Sequence, residues 1–164
     1  MSLPAGSPLA RLFEAPMRPG RLIWIGLRPA RREAMVEVDQ ALLEPGRGLR
    51  GDRWRGGATG ARQVTLVAAE HLHAVASFLG LDAVAPARLR RNLVVEGVNL
   101  LALKGSRFRL GAALLEHSGD CHPCSRMEEE FGPGGYNAVR GHGGITARVI
   151  EGGAIRLGDA LTRV

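Results

Sequence analysis

Short apolar stretches separated by glycine turns run through this chain, and one stretch carries a clear helical period. Residues 22–27 form a continuous apolar run, which suits a buried strand. Residues 35–39 alternate, with Val36 and Val38 set against Glu37 and Asp39, and predict a strand of period two. Residues 63–67, 93–95 and 107–116 predict three more strands, the last of them the longest. Toward the C-terminus the pattern gives a strand at 146–150, a Gly152-Gly153 turn, a strand at 154–157, a Gly158-Asp159 turn and a strand at 160–164. Leu72, Val75, Ala76 and Leu79 share one face of a helix predicted over 68–79, which Gly80 stops. A short helix is expected over 125–131.

Many short strands and one long helix predict a mainly β fold, a β-barrel with one long and a few short inserted helices. Alternating strand–helix–strand units are not expected. Residues 1–19 hold Pro4, Pro8, Pro16 and Pro19 and predict a poorly ordered N-terminal extension. Residues 20–164 then make one domain, long enough to bury a real core. The first 20 residues lack the apolar run of a signal peptide, and no run approaches the roughly 20 apolar residues of a membrane helix. The expectation is a cytoplasmic protein without a membrane association.

Charge narrows the ligand class. The formal net charge is +6, and among 22 basic residues only Lys104 is a lysine. Arginine's planar fork suits phosphate and carboxylate. Codon bias in a GC-rich genome would give the same excess. Aromatics are only 4% of the chain and the arginines are spread along it, so an anionic small ligand is expected rather than nucleic acid.

The chain's two cysteines stand together in Cys121-His122-Pro123-Cys124. Cys124 falls where the helix over 125–131 would begin, so backbone N–H groups would face it, and His122 and Arg126 add positive charge. Four readings remain open from the residues alone. They are a zinc knuckle completed by histidines, a thioredoxin-like redox pair, two inert thiols, and a reactive or cofactor-binding thiol. Arg90-Arg91-Asn92, at the entry to a strand, could fork onto phosphate and offer amide donors and acceptors, or be a solvated loop. Arg91, the spacer, is expected to point to the other side of an extended chain. Gly51-Asp52-Arg53-Trp54 with Arg62-Gln63 is similar in kind, and Gly51-Asp52 could simply make an Asx-turn. Gly141-His142-Gly143-Gly144 places one imidazole in a glycine loop, where acid–base work and a plain turn are both open.

Several of these segments line up in order. They are Ile25-Gly26-Leu27-Arg28-Pro29-Ala30, Gly48-Leu49-Arg50-Gly51-Asp52-Arg53, and Arg62-Gln63-Val64-Thr65-Leu66 running into Glu70. Arg90-Arg91-Asn92-Leu93, Pro123-Cys124 and Gly152-Gly153-Ala154-Ile155-Arg156-Leu157-Gly158-Asp159 follow. Over residues 20–164 the chain resembles the MOSC domain, named after the C-terminal domain of molybdenum cofactor sulfurase. The resemblance implies a β-barrel-like fold and one key thiol, Cys124, which would carry sulfur or ligate molybdenum held by a pterin dithiolene. It implies that Arg90 and Asn92 hold the cofactor, with Arg62 counted beside them and Cys121 and His142 as further candidates. Where the family often has histidine in its Gly-Asp-x-His turn, this chain has Trp54.

The leading expectation is therefore a molybdenum-cofactor protein that reduces N-hydroxylated compounds. It would take electrons from a partner, since no flavin or iron–sulfur motif is present. A sulfur carrier charged as a Cys124 persulfide by a cysteine desulfurase is the alternative. A binding module without turnover is the third.

Overall fold

A proline starts the first helix. α1 (Pro8–Glu14) has Pro8 where no backbone N–H is needed, and the Ser7 hydroxyl accepts from the Ala10 N–H at 3.2 Å. The structure is a computed structural model that describes residues 3–56 and 60–164. A capped helix thus lies within the stretch expected to be poorly ordered. The Arg163 guanidinium donates to the carbonyls of Phe13, Glu14 and Ala15 and ties the end of α1 to the last strand.

The elements that follow are β1 (Gly20–Leu27), β2 (Val36–Val38), β3 (Gln40–Glu44), β4 (Gly48–Leu49) and β5 (Val64–Ala68). β5 runs directly into α2 (Ala69–Leu79), the longest helix, and then come α3 (Pro86–Leu89) and β6 (Leu93–Glu96). A 3-10 turn at Leu100–Leu103 leads to β7 (Arg107–Leu110), β8 (Ala113–Asp120), α4 (Ser125–Phe131) and α5 (Gly135–Val139). β9 (Ile145–Glu151), β10 (Gly153–Arg156) and β11 (Ala160–Arg163) complete the chain.

Seven strands close a mixed barrel in the order β11-β7-β8-β9-β5-β6-β1, and the pairing of β1 with β11, Gly20 opposite Leu161, seals it. β2 adds to β1, and β10-β3-β4 forms a small separate sheet. The mainly β, barrel-like expectation is therefore met. One expectation needs correcting. β5 and β6 pair in parallel, and α2 and α3 make the connection between them, so a single strand–helix–strand unit is built into the barrel.

That unit explains the apolar runs at 63–67 and 93–95. Leu66, Leu93 and Val95 belong to the core cluster shared by the barrel strands. Val67 and Val94, on the opposite face, pack with Leu72, Val75 and Ala76 of α2, Leu89, Met127 and Val139. Strands buried on both faces lose the polar alternation. β7 keeps it, with Phe108 and Leu110 buried and Arg107 and Arg109 exposed.

The single strand expected over 107–116 is a hairpin. Gly111-Ala112 makes the turn between Leu110 and Ala113, which pair directly. Gly111 has φ +55°, and a side chain there would meet the Asp159 carboxylate and the Ala154 carbonyl.

Candidate functional site

The entry to β6 organises the site. Arg90 closes α3 in a left-handed conformation, φ 55°, and the chain then turns into the barrel wall. Asn92 follows, with no exposed surface. Its Oδ1 accepts from the N–H and the hydroxyl of Thr65, both at 3.1 Å. Its Nδ2 donates to the Gly26 carbonyl at 3.2 Å and to Asp52 Oδ1 at 3.1 Å. Every side-chain hydrogen-bonding position is engaged within the protein. Asn92 was expected to read polar atoms of a ligand; the structure instead makes it the knot that joins β1, β5 and the turn at Asp52.

Asp52 is the second member of that knot. Oδ1 accepts from the backbone N–H of Arg28 at 2.8 Å and from Arg28 Nε at 3.1 Å, while Oδ2 accepts from Arg28 Nη2 at 2.8 Å and Trp54 N–H at 3.3 Å. Burial alone would push its carboxyl up, but the hydrogen bonds and charge of Arg28, helped by the Trp54 N–H, hold it below its ordinary value. The Asx-turn reading of Gly51-Asp52 is thus part of a larger device. Trp54, half-buried, stacks its ring where a side chain on Gly56 would otherwise lie.

Arg91 overturns the expectation that the spacer points away. The residue is 8% exposed, and its guanidinium donates to the carbonyls of Gly143 at 2.7 Å, Leu89 at 2.7 Å and Cys121 at 3.2 Å. Burial pushes its pKa down; the charges of Arg62 and Arg28 push the same way, and both Cys121 and Cys124 oppose them. One buried guanidinium therefore lies within electrostatic reach of both thiols and of two further arginines.

The glycine loop serves the same strut. Gly144 accepts the Cys121 N–H at 2.9 Å, and a side chain at Gly143 would strike the Cys121 carbonyl and Arg91 Nη2. His142 packs against α2. Its ring makes edge contacts with His71, centroids 4.9 Å apart, and Phe78, 5.2 Å apart, on α2. Of the two readings left open for His142, these contacts are those of a packed turn.

The two cysteines differ. Cys121 is 3% exposed, and Arg62 Nη2 lies 3.8 Å from its sulfur. Cys124 is exposed and caps α4 through its backbone, accepting the Met127 N–H at 2.9 Å, with its side chain uncommitted. An alkylating reagent should therefore label Cys124 first and Cys121 only on unfolding, read by mass spectrometry over time. Equal labelling in the folded protein would contradict this arrangement.

Arg62 stands at Cys121, Arg126 follows Cys124 by two residues, and Arg90 faces Arg126; none of the three has a carboxylate ion-pair partner among the described residues. Arg90 donates to the carbonyls of Glu33 and Ala30, and burial together with the charges of Arg126, Arg28 and Arg53 pushes its pKa down. Among the described residues no group of three or more His, Cys, Asp or Glu side chains is placed to hold a metal ion. A metal here would have to bring most of its own ligands and take one thiolate from the protein. A pterin dithiolene does so, and the donor set of one open thiol beside unpaired cations fits it.

Of the residues expected at the site, Arg62 lies at Cys121, and Arg90 lies beside Arg126, two residues after Cys124. Sequence reasoning missed Arg28, Thr65 and the strut made by Arg91. The one usable signal was Asp52, a lone acid in a stretch of glycines and arginines.

Residues 51–162, well over half of the chain, match the MOSC domain. The chain belongs to the MOSC domain family. The match begins at Gly51, so β1 to β4 lie outside it although β1 is a barrel strand. Solved structures extend the likeness across that part. The YUAD protein from Bacillus subtilis superposes with TM-score 0.76 at 21% identity, over 88% of this chain and 94% of its own. YiiM from Geobacillus stearothermophilus gives TM-score 0.71 at 18% identity, over 89% and 75%. YiiM from Escherichia coli gives 0.67 at 23% identity, over 88% and 69%. At these identities the likeness shows the MOSC fold alone. No curated protein matches the chain. Among the described residues no helix of this MOSC protein is long and apolar enough to cross a membrane.

Proposed function

We propose that this MOSC protein binds a molybdenum-pterin cofactor beside Cys124 and reduces N-hydroxylated compounds with electrons from a partner protein. The observation that carries the reading is an exposed thiol at the start of α4, two residues before Arg126, which shares a cleft with Arg90. When bound, the cofactor would supply two-electron redox chemistry at its metal. Cys124 would furnish the soft thiolate ligand. Arg62, Arg90 and Arg126 would offset the anionic charge of the pterin phosphate. Arg91 and Asn92 act through others: Arg91 fixes the backbone at Cys121, and Asn92 fixes the strand that presents Arg90.

One observation favours a second reading. The Cys124 thiol is exposed, so the persulfide of a partner desulfurase can reach it. The Cys124 thiolate would attack the terminal sulfur and the partner's cysteine thiolate would leave, which makes Cys124 a sulfur carrier.

Purified protein analysed for molybdenum and for cyanide-labile sulfur separates the two. Metal without labile sulfur supports the reductase; labile sulfur without metal supports the carrier. In either case Cys124→Ser should remove the signal and Cys121→Ser should keep most of it. Equal loss in both variants would point to a paired site, and neither signal in the wild type would sink both readings and leave a binding module.

A further inference from the structure

One loop ties α2 to the buried thiol. The His142 N–H donates to the Val139 carbonyl at 2.8 Å, so the Gly141–Gly144 loop continues the last turn of α5. α5 packs against α2, and the His142 ring meets that of His71 with planes at 68°. Beside this contact lies a cavity of about 470 Å³, which His71 shares with Asp120, Cys121, His122 and the glycines of the loop. The loop therefore touches α2 through His142 and Cys121 through Gly144.

His71 is placed to stay neutral. It is half-buried, and its Nδ1 is enclosed with no hydrogen-bond partner among the described residues. A bare ring nitrogen sits there at modest cost, whereas an N–H would be a buried donor without an acceptor. Nδ1 of His142 differs. It lies 3.1 Å from the Arg140 carbonyl, so it carries the proton and donates. Burial pushes the His71 pKa below its ordinary 6.5, and charge on His142 pushes the same way against Glu70.

The groups around the pair do not make a home for a second proton. α2 carries Glu70 and His73, the end of α5 and the loop carry Arg140 and His142, and the end of β8 brings Asp120 and, just after it, His122. The stretch 97–101, which lines the other side chains' surroundings after β6, has no ionisable residue. Glu70 favours a charged ring, but its carboxylate accepts the Gly97 N–H at 2.7 Å. Asp120 is the one acid lining the cavity. Neither carboxylate reaches His71 Nδ1.

We propose that the His71–His142 contact is an acid-operated latch: with both rings neutral it holds the Gly141–Gly144 loop shut on Cys121, and a proton on His71 releases the loop. The proton leaves Nδ1–H enclosed without an acceptor, and moving the loop away lets water reach it. As the loop leaves, the Gly144 carbonyl gives up the Cys121 N–H and the Gly143 carbonyl gives up Arg91 Nε, bonds of 2.9 and 2.7 Å. Cys121 then meets solvent. Because the closed form disfavours the proton, closure is fully favoured above the ordinary value of 6.5 and loses ground as pH falls below it. The latch needs neither molybdenum nor the Cys124 thiol, so its failure and that of the cofactor reading are separate.

The test uses the full chain carrying Cys124→Ser, in which Cys121 is the one thiol. Its reaction with a dipyridyl disulfide, a reagent that stays reactive toward thiols in acid, is followed by absorbance from about pH 8 to about pH 5. Each rate is divided by that of the same chain unfolded in denaturant at the same pH. The quotient should be flat above about pH 6.5 and rise about fivefold or more by about pH 5, since each unit of pKa difference allows about tenfold. His71→Phe on that background keeps a ring against His142 but takes no proton, and it should abolish the rise. His73→Gln, exposed on the same helix, should keep it. Should His71→Phe fail to fold, nuclear magnetic resonance of the wild type decides: the His71 imidazole must titrate below 6.5, and the amides of 141–144 must shift with it. A flat quotient would overturn the proposal. So would an equal rise in His71→Phe, a His71 titration at or above 6.5, or a rise that coincides with loss of far-UV circular dichroism.

Discussion

Asp52→Ala should destabilise the protein by about 3–5 kcal/mol, the range for removing one partner of a buried ion pair. The Asp52 side chain is 1% exposed and that of Arg28 16%. The carboxylate accepts from Arg28, Trp54 and Asn92, so its loss leaves several donors without partners in the barrel wall. Denaturant unfolding followed by far-UV circular dichroism would measure it. A loss below about 1 kcal/mol would mean that water replaces the carboxylate and that the knot is not buried as described. The same group sets a pH dependence. Its folded pKa lies below the ordinary 3.8, so its contribution is fully present above about pH 4. It is lost as pH falls through the folded value. Wild-type stability should therefore drop in that acid window, and Asp52→Asn should lack that part of the drop.

Gly144→Ala should be nearly as damaging, at about 3 kcal/mol or more from strain and overlap together. Gly144 has φ +89°, and a methyl group there would overlap the Leu66 carbonyl oxygen of β5, a backbone atom that cannot step aside. The loop would have to move outward. It would take with it the Gly144 carbonyl that holds the Cys121 N–H and the Gly143 carbonyl that holds Arg91. Cys121 should then alkylate in the folded state. Gly141→Ala is the control. Gly141 also has positive φ, but a methyl group there meets nothing within 4 Å. Strain alone should cost about 1 kcal/mol. If the two variants melt at the same temperature, close approach is not what the loop's glycines serve.

The barrel was legible because its turns are marked by glycine and its one long helix by a heptad-like stripe. Ends of elements were recovered within a residue or two, as at α2 and β6. The hairpin of β7 and β8 was not legible, because Gly111 alone breaks an apolar stretch and alanine, not a second turn former, follows it. The parallel crossover was hidden for a different reason. α3 has four residues, too few to show a period, and β5 passes into α2 without a break. At the site, the error on Arg91 has a definite cause. Side chains alternate sides only along an extended chain, and Arg90 at φ 55° is not extended, so the alternation does not carry across it. The burial of Asn92 has no local signal, since its partners come from β1, β5 and the Asp52 turn. The pairing of Arg32 with Glu129 has none either, because the two meet only once the chain has folded.

The seal between β1 and β11 has a consequence for how the protein is made. β1 is synthesised early, and β11 is the last of the described strands to appear. Until β11 arrives, β7 and the Gly20–Arg21 end of β1, which β2 does not cover, present open edges of unpaired N–H and C=O groups. Most of the wall can therefore assemble before β11 is made, but the barrel cannot close until it is. Closure joins strands from opposite ends of the sequence, the slowest kind of contact to form. Edge-to-edge association during that interval, rather than loss of the finished fold, is the hazard this topology carries, and overexpression at low temperature with slow chain synthesis would lengthen it.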